Sequence, residues 1–128
     1  MREWVERLRR ENELITVETE VDWKYELGCL IRRVFDIGSP RRGPALLFTN
    51  IKDYKKTHGR QILTASLSTY GRVALALGLA KETDYAEIVK AFKEKSKRRI
   101  KPKLVDHGPC KEVIEQGNDI NVLEFPVP

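Results

Sequence analysis

The side chains that could do chemistry are few in this sequence, and they are scattered. Two histidines, His58 and His107, and two cysteines, Cys29 and Cys110, stand far apart along 128 residues. A metal centre draws His, Cys and carboxylates together at short, fixed spacings, and none of these four has such a neighbour. Cys29 and Cys110 make no Cys-x-x-Cys pair. Two lone thiols without a secretion signal suit a reducing compartment and no disulfide framework. Asp106 and His107 adjoin, but neighbours on a strand point to opposite faces and would not work as a pair. Cys29 falls between Leu27 and Leu30 on the apolar face of an expected helix. It therefore reads as core filler, since a nucleophilic thiol needs an exposed, electropositive setting. Glu18, Glu20, Glu112 and Glu115 read as solvent-facing strand positions or strand ends, where nothing supplies the burial that raises a carboxylate pKa.

Two stretches could hold an anion. In Ser66-Leu67-Ser68-Thr69-Tyr70-Gly71-Arg72, free backbone N–H groups at a helix start and Arg72 could receive a phosphate. Capping by Ser68 or Thr69, with Arg72 in solvent, is the simpler account. The second stretch is the basic tract Lys93, Lys95, Lys97, Arg98, Arg99, Lys101 and Lys103. It could contact phosphates, but cations also favour a helix C-terminus, and the tract holds no aromatic residue for base stacking. No Gly-x-Gly-x-x-Gly or Gly-Lys-Ser/Thr loop occurs. From these residues we assign no catalytic, cofactor-binding or metal-ligating position to the chain.

The elements that would position these groups follow from periodicity. Trp4, Val5 and Leu8 fall at helical spacing until Asn12-Glu13 breaks the pattern. Leu14 to Thr19 alternates as a half-buried strand. Asp22 can cap a helix with Leu27, Leu30, Ile31 and Val34 on one face, ended by Gly38 and Pro40. After Arg41-Arg42-Gly43-Pro44, the apolar run Ala45 to Thr49 reads as an interior strand. A polar connection over Lys52 to Arg60 leads to a strand from Gln61 to Ser66. A helix follows from Tyr70 to about Leu77, closed by Gly78. Asp84 and Glu87 resemble a capping box opening a helix to about Lys97, with Pro102 beyond it. Leu104-Val105 and Cys110 to Glu115 read as further strands, and Gly117-Asn118 as a turn. These elements predict one α/β (α+β) domain: a mixed sheet of about five strands with helices packed on it.

Composition sets the outer bounds. One domain of ordinary size fits this length, and hydrophobic residues at 41% with charged residues at 34% rule out a membrane protein and argue against general disorder. The longest apolar run, Val73 to Leu77, is far short of the roughly 20 residues that span a bilayer. The start, Met1-Arg2-Glu3-Trp4, is charged and amphipathic, so a cytoplasmic location is expected. The net charge of +5 divides into +4 over residues 1–80, +5 over 81–103 and −4 over 104–128. Nucleic acid is a possible partner on charge alone, though the missing stacking residues disfavour it.

Four segments together resemble the UbiD-like decarboxylases, the family that includes the polyprenyl-hydroxybenzoate carboxy-lyases of ubiquinone synthesis. They are Asn12-Glu13-Leu14-Ile15 with Glu20-Val21-Asp22; Arg42-Gly43-Pro44-Ala45-Leu46-Leu47-Phe48-Thr49-Asn50-Ile51-Lys52; Gly71-Arg72-Val73-Ala74-Leu75-Ala76-Leu77-Gly78; and Gly108-Pro109-Cys110-Lys111-Glu112-Val113-Ile114, running on from Gly117-Asn118 to Pro128. Each motif alone is soft, but four in the family's order span nearly the whole chain. The resemblance implies the N-terminal α/β domain of a larger protein, packed against a flavin-binding domain in cis or as a separate chain. It implies prenylated FMN, a divalent metal and potassium for the complete, homo-oligomeric enzyme. The chemistry implied is a flavin–substrate adduct, loss of CO₂ and protonation by a Glu-Arg-Glu set. None of those motifs matches a residue here, so the resemblance also carries over no site position. The apolar, proline-bearing end through Phe125 and Val127 agrees with a chain that continues into another domain. Two alternatives stand beside this reading: a standalone basic module for nucleic acid or an acidic partner, and an accessory subunit of a split decarboxylase.

Overall fold

The computed structural model describes residues 1–37, 43–55 and 60–126. Its core strand is the apolar run already expected to be interior. β2 (Ala45–Phe48) lies between β1 (Leu14–Val17), to which it is parallel, and β3 (Ile62–Thr64), to which it is antiparallel. Leu14 pairs with Ala45 and Val17 with Phe48; across the other edge, Phe48 pairs with Ile62. All four β2 side chains are buried. Because they alternate in direction, the strand is covered on both faces.

Four α-helices surround the sheet among the described residues: α1 (Arg2–Arg10), α2 (Glu26–Ile37), α3 (Tyr70–Ala76) and α4 (Tyr85–Lys97). α2 forms the crossover that a parallel β1–β2 pair requires. It closes the main core, where Leu27 packs with Leu46, Phe48, Val21, Ile51 and Tyr54. Trp23 meets Tyr54 edge to face at 5.8 Å between ring centroids. The parallel pairing continues past the strands through a bridge between Val21 and Ile51.

Several expectations are corrected. The sheet has three strands among the described residues, not about five. Leu104-Val105 forms no strand, and Cys110 to Glu115 begins in a 3₁₀ turn (Pro109–Lys111) and continues as bends and coil. Two more single turns follow, Gly117–Asp119 and Val122–Glu124. A strand needs a ladder partner for its N–H and C=O groups, and both edges of the sheet lie elsewhere. The first and third strands are shorter than expected, ending at Val17 and Thr64. Cys29 and Leu30 are exposed, since α2 turns Leu27, Ile31 and Val34 inward instead. Gly38, Pro40, Arg41, Arg42, His58, Val127 and Pro128 lie outside the described residues.

Candidate functional site

Two helix ends set up the one buried charge cluster of the described residues. α1 stops where Asn12 adopts φ +57°, with the Glu13 N–H donating to Leu8 O at 2.9 Å. That left-handed closure delivers Glu13 to the start of β1. α3 ends in the same way at Gly78, φ +76°, with the Leu79 N–H donating to Ala74 O at 2.9 Å. The chain then turns back and brings Lys81 to the same place.

Between these two ends lies Arg72. Thr69 caps α3 by accepting the Arg72 backbone N–H at 3.2 Å, which is the capping expected from the sequence. The Arg72 side chain, expected in solvent, is 1% exposed. Its Nη1 donates to Glu13 Oε2 at 3.0 Å and to Gly43 O at 2.7 Å. Lys81 Nζ donates to Glu11 O at 3.1 Å and stands 3.8 Å from Glu13 Oε1. Burial pushes the Arg72 guanidinium below its ordinary pKa, and the Glu13 hydrogen bond and charge pull it back up. Arginine keeps its proton in such a setting, so this is a structural cation with nothing to exchange with a substrate. It ties α3 to the entry of β1 and to the residue that leads into β2.

A cavity of about 450 Å³ opens beside the cluster, bordered by Glu13, Thr69, Lys81, Asp84, Tyr70 and Tyr85. The two tyrosine rings meet edge to face, 5.0 Å apart. Two of its carboxylates are already engaged. Glu13 holds Arg72, and Asp84 Oδ1 caps α4 by accepting the N–H groups of Ala86 and Glu87 at 2.7 and 3.2 Å. With Glu82 also on the rim, the lining is acidic and unsuited to the phosphate of a flavin. No group of three or more His, Cys, Asp or Glu that could hold a metal occurs among the described residues. Neither a flavin nor a divalent metal fits the side chains assembled here.

The remaining sequence candidates stay apart. His107 and Asp106 are exposed on coil, so the strand argument that separated them does not apply; they nonetheless join no cluster. Cys29 is an exposed free thiol on α2. Glu18, Glu20, Glu112 and Glu115 are exposed, as expected. The basic tract is solvated along its whole length. What sequence reasoning missed is the Glu13–Arg72–Lys81 cluster. Its signal was a lone cation at the head of the apolar stretch Val73-Ala74-Leu75, one helical turn from the buried Leu75. A charge on a buried face requires a partner.

The arrangement defines a class before it defines a family: a small α+β domain built around a mixed sheet of three strands among the described residues, with its buried cation, Arg72, engaged in holding the fold together. Residues 5–92 match the family model described as the 3-octaprenyl-4-hydroxybenzoate carboxy-lyase N-terminal domain. The chain belongs to the UbiD family. It is 33% identical, over 99% of its own length, to pyrrole-2-carboxylic acid decarboxylase of Pseudomonas aeruginosa, and 26% identical to ferulic acid decarboxylase 1 of Saccharomyces cerevisiae. It spans about a quarter of the length of each (26%). Among solved structures it is similar to vanillic acid decarboxylase of Sedimentibacter hydroxybenzoicus at 30% identity. The open form with truncated ShVdcD gives a TM-score of 0.81 over 96% of this chain and 25% of that one. The closed form gives 0.78 over 94% and 25%.

Proposed function

We propose that this chain is the leading structural domain of a UbiD-type decarboxylase acting on aromatic or α,β-unsaturated carboxylic acids. One observation carries the reading: nearly the whole chain corresponds to about a quarter of proteins that are each named decarboxylases. Prenylated FMN, a divalent metal and potassium belong, in this reading, to the remainder of the enzyme, in cis or as a separate chain. The part of this domain is to wall the flavin-bearing domain. Val113, Ile114, Ile120, Val122, Leu123 and Phe125 support that role, because all six are exposed apolar side chains within one short segment. Covering them would remove apolar surface from water at about 25 cal/mol per Å². We extend the reading to a cytoplasmic, homo-oligomeric complete enzyme.

Two samples test it. The chain alone, mixed with prenylated FMN and passed through gel filtration, should emerge colourless and release no CO₂ from pyrrole-2-carboxylate, vanillate or ferulate. The same chain, grafted in place of the N-terminal domain of the Pseudomonas aeruginosa enzyme, should restore a flavin-retaining decarboxylase. Flavin retention with CO₂ release by the isolated chain would overturn the proposal.

A further inference from the structure

Tyr54 owes its place to a reversal of the chain. After the Val21–Ile51 bridge, Asp53 takes φ +68°, in the left-handed region that Asp enters more readily than most residues. The Tyr54 N–H then donates back to Ile51 O at 3.1 Å. This turn directs the Tyr54 ring into the core with Leu27, Phe48 and Ile51, where Trp23 meets it edge to face. Tyr54 is 8% exposed.

The hydroxyl reaches out of that core. It donates to Leu123 O at 3.0 Å, across 69 residues of sequence. Leu123 is the middle residue of the Val122–Glu124 turn, and its N–H donates to Asn121 Oδ1 at 3.1 Å. Its backbone is thus held from both sides, locally through the N–H and by the core through the carbonyl. The Leu123 side chain is 79% exposed, so the core grips the main chain and not the leucine. Phenylalanine at position 54 would fill the same space beside Trp23. What tyrosine adds is a polar group at the end of an apolar ring.

We propose that Tyr54 is a clasp built into the fold: its hydroxyl holds the Val122–Glu124 turn on the domain, and the turn opens by breaking this bond. A phenol–carbonyl bond is neutral and directional, strong enough to bias the position of the turn and weak enough to break and re-form. In the function proposed above, the rest of the enzyme meets this segment, and the clasp fixes where it does so. That consequence rests on the proposed function. The clasp itself is a property of this chain and is tested without flavin or substrate.

The test is limited proteolysis of the chain with a glutamyl endopeptidase, which cuts after Glu124 when the turn is open. Tyr54→Phe should speed this cleavage about fivefold, the population shift that one neutral hydrogen bond carries. Cleavage after Glu82, between α3 and α4, should keep the parent rate. Asn121→Ala removes the local hold, leaves the core untouched and should also speed cleavage after Glu124. Two results would overturn the proposal. Cleavage after Glu124 at the parent rate in Tyr54→Phe would mean that the turn holds itself without the clasp. Equal acceleration after Glu82 and Glu124 would mean that the hydroxyl supports the whole fold and not this turn.

Discussion

The Glu13–Arg72 pair makes a prediction whose sign depends on which partner is removed. In Glu13→Ala the guanidinium stays buried, with Gly43 O as its remaining acceptor at 2.7 Å. Breaking a buried ion pair from one side costs about 3–5 kcal/mol. The Glu13 side chain is itself 24% exposed and admits some water, which places this variant near the lower end, at about 3 kcal/mol. Arg72→Met is different. It fills similar volume with an apolar chain and leaves a carboxylate that still faces Lys81 and solvent. What remains is the lost hydrogen bond to Gly43 O, about 1 kcal/mol. The double variant should cost little more than Arg72→Met alone, giving a coupling of about 3 kcal/mol in magnitude. Against a total stability of about 5–15 kcal/mol these differences are easily read in urea denaturation followed by circular dichroism. Arg72→Met as costly as Glu13→Ala, or strictly additive single effects, would refute the reasoning.

Two further outcomes follow from local geometry. A Cβ added at Gly71 would lie 3.0 Å from the backbone oxygen of Lys81, whereas one added at Gly28 would meet nothing within 4 Å. Gly71→Ala should therefore destabilise by about 1–3 kcal/mol despite alanine's helix propensity, and Gly28→Ala should stabilise by about 0.5–1 kcal/mol; thermal melts of equal sign at the two sites would contradict this. Asp22 accepts the Lys24 backbone N–H at 2.9 Å and Lys52 Nζ at 3.1 Å, which hold its carboxyl below the ordinary value of 3.8. A lowered carboxylate pKa adds stability above 3.8 that disappears as pH falls through the folded-state value, so Asp22→Asn should flatten the acid limb of stability against pH. The same Asp22 bond and charge raise Lys52 above 10.5, so its contribution is complete below 10.5 and fades at higher pH. Unchanged slopes at the acid limb in Asp22→Asn would count against the pair.

Legibility in the sequence tracked how local the cause was. β2 was readable because four consecutive apolar residues bounded by turn formers have few alternatives to a covered strand. The caps at Thr69 and Asp84 were readable because a short polar side chain and the next N–H groups settle the matter within three residues. Cys29 was misplaced because an apolar stripe wide enough for Leu27, Leu30, Ile31 and Val34 leaves the exact rotation of the helix to tertiary packing. Arg72 was misplaced for a stronger reason. Its partner is 59 residues away, and no local pattern announces that a cation will find Glu13. The strands expected beyond Leu104 failed for the same non-local reason: apolar alternation shows that a segment can pair, and only the rest of the structure decides whether an edge is offered to it.

That last point separates two halves of the chain by physics. Up to Ile88, buried apolar side chains, the central strand and the Glu13–Arg72 pair reinforce one another. From Ile100 onward the large apolar side chains face water, and among the described residues a hydrogen bond from Tyr54 Oη to Leu123 O at 3.0 Å ties that segment to the core. The segment's apolar residues acquire a reason to be where they are when another surface covers them. In the function proposed above, the rest of the enzyme is the surface that covers the acidic stretch from Val113 to Phe125.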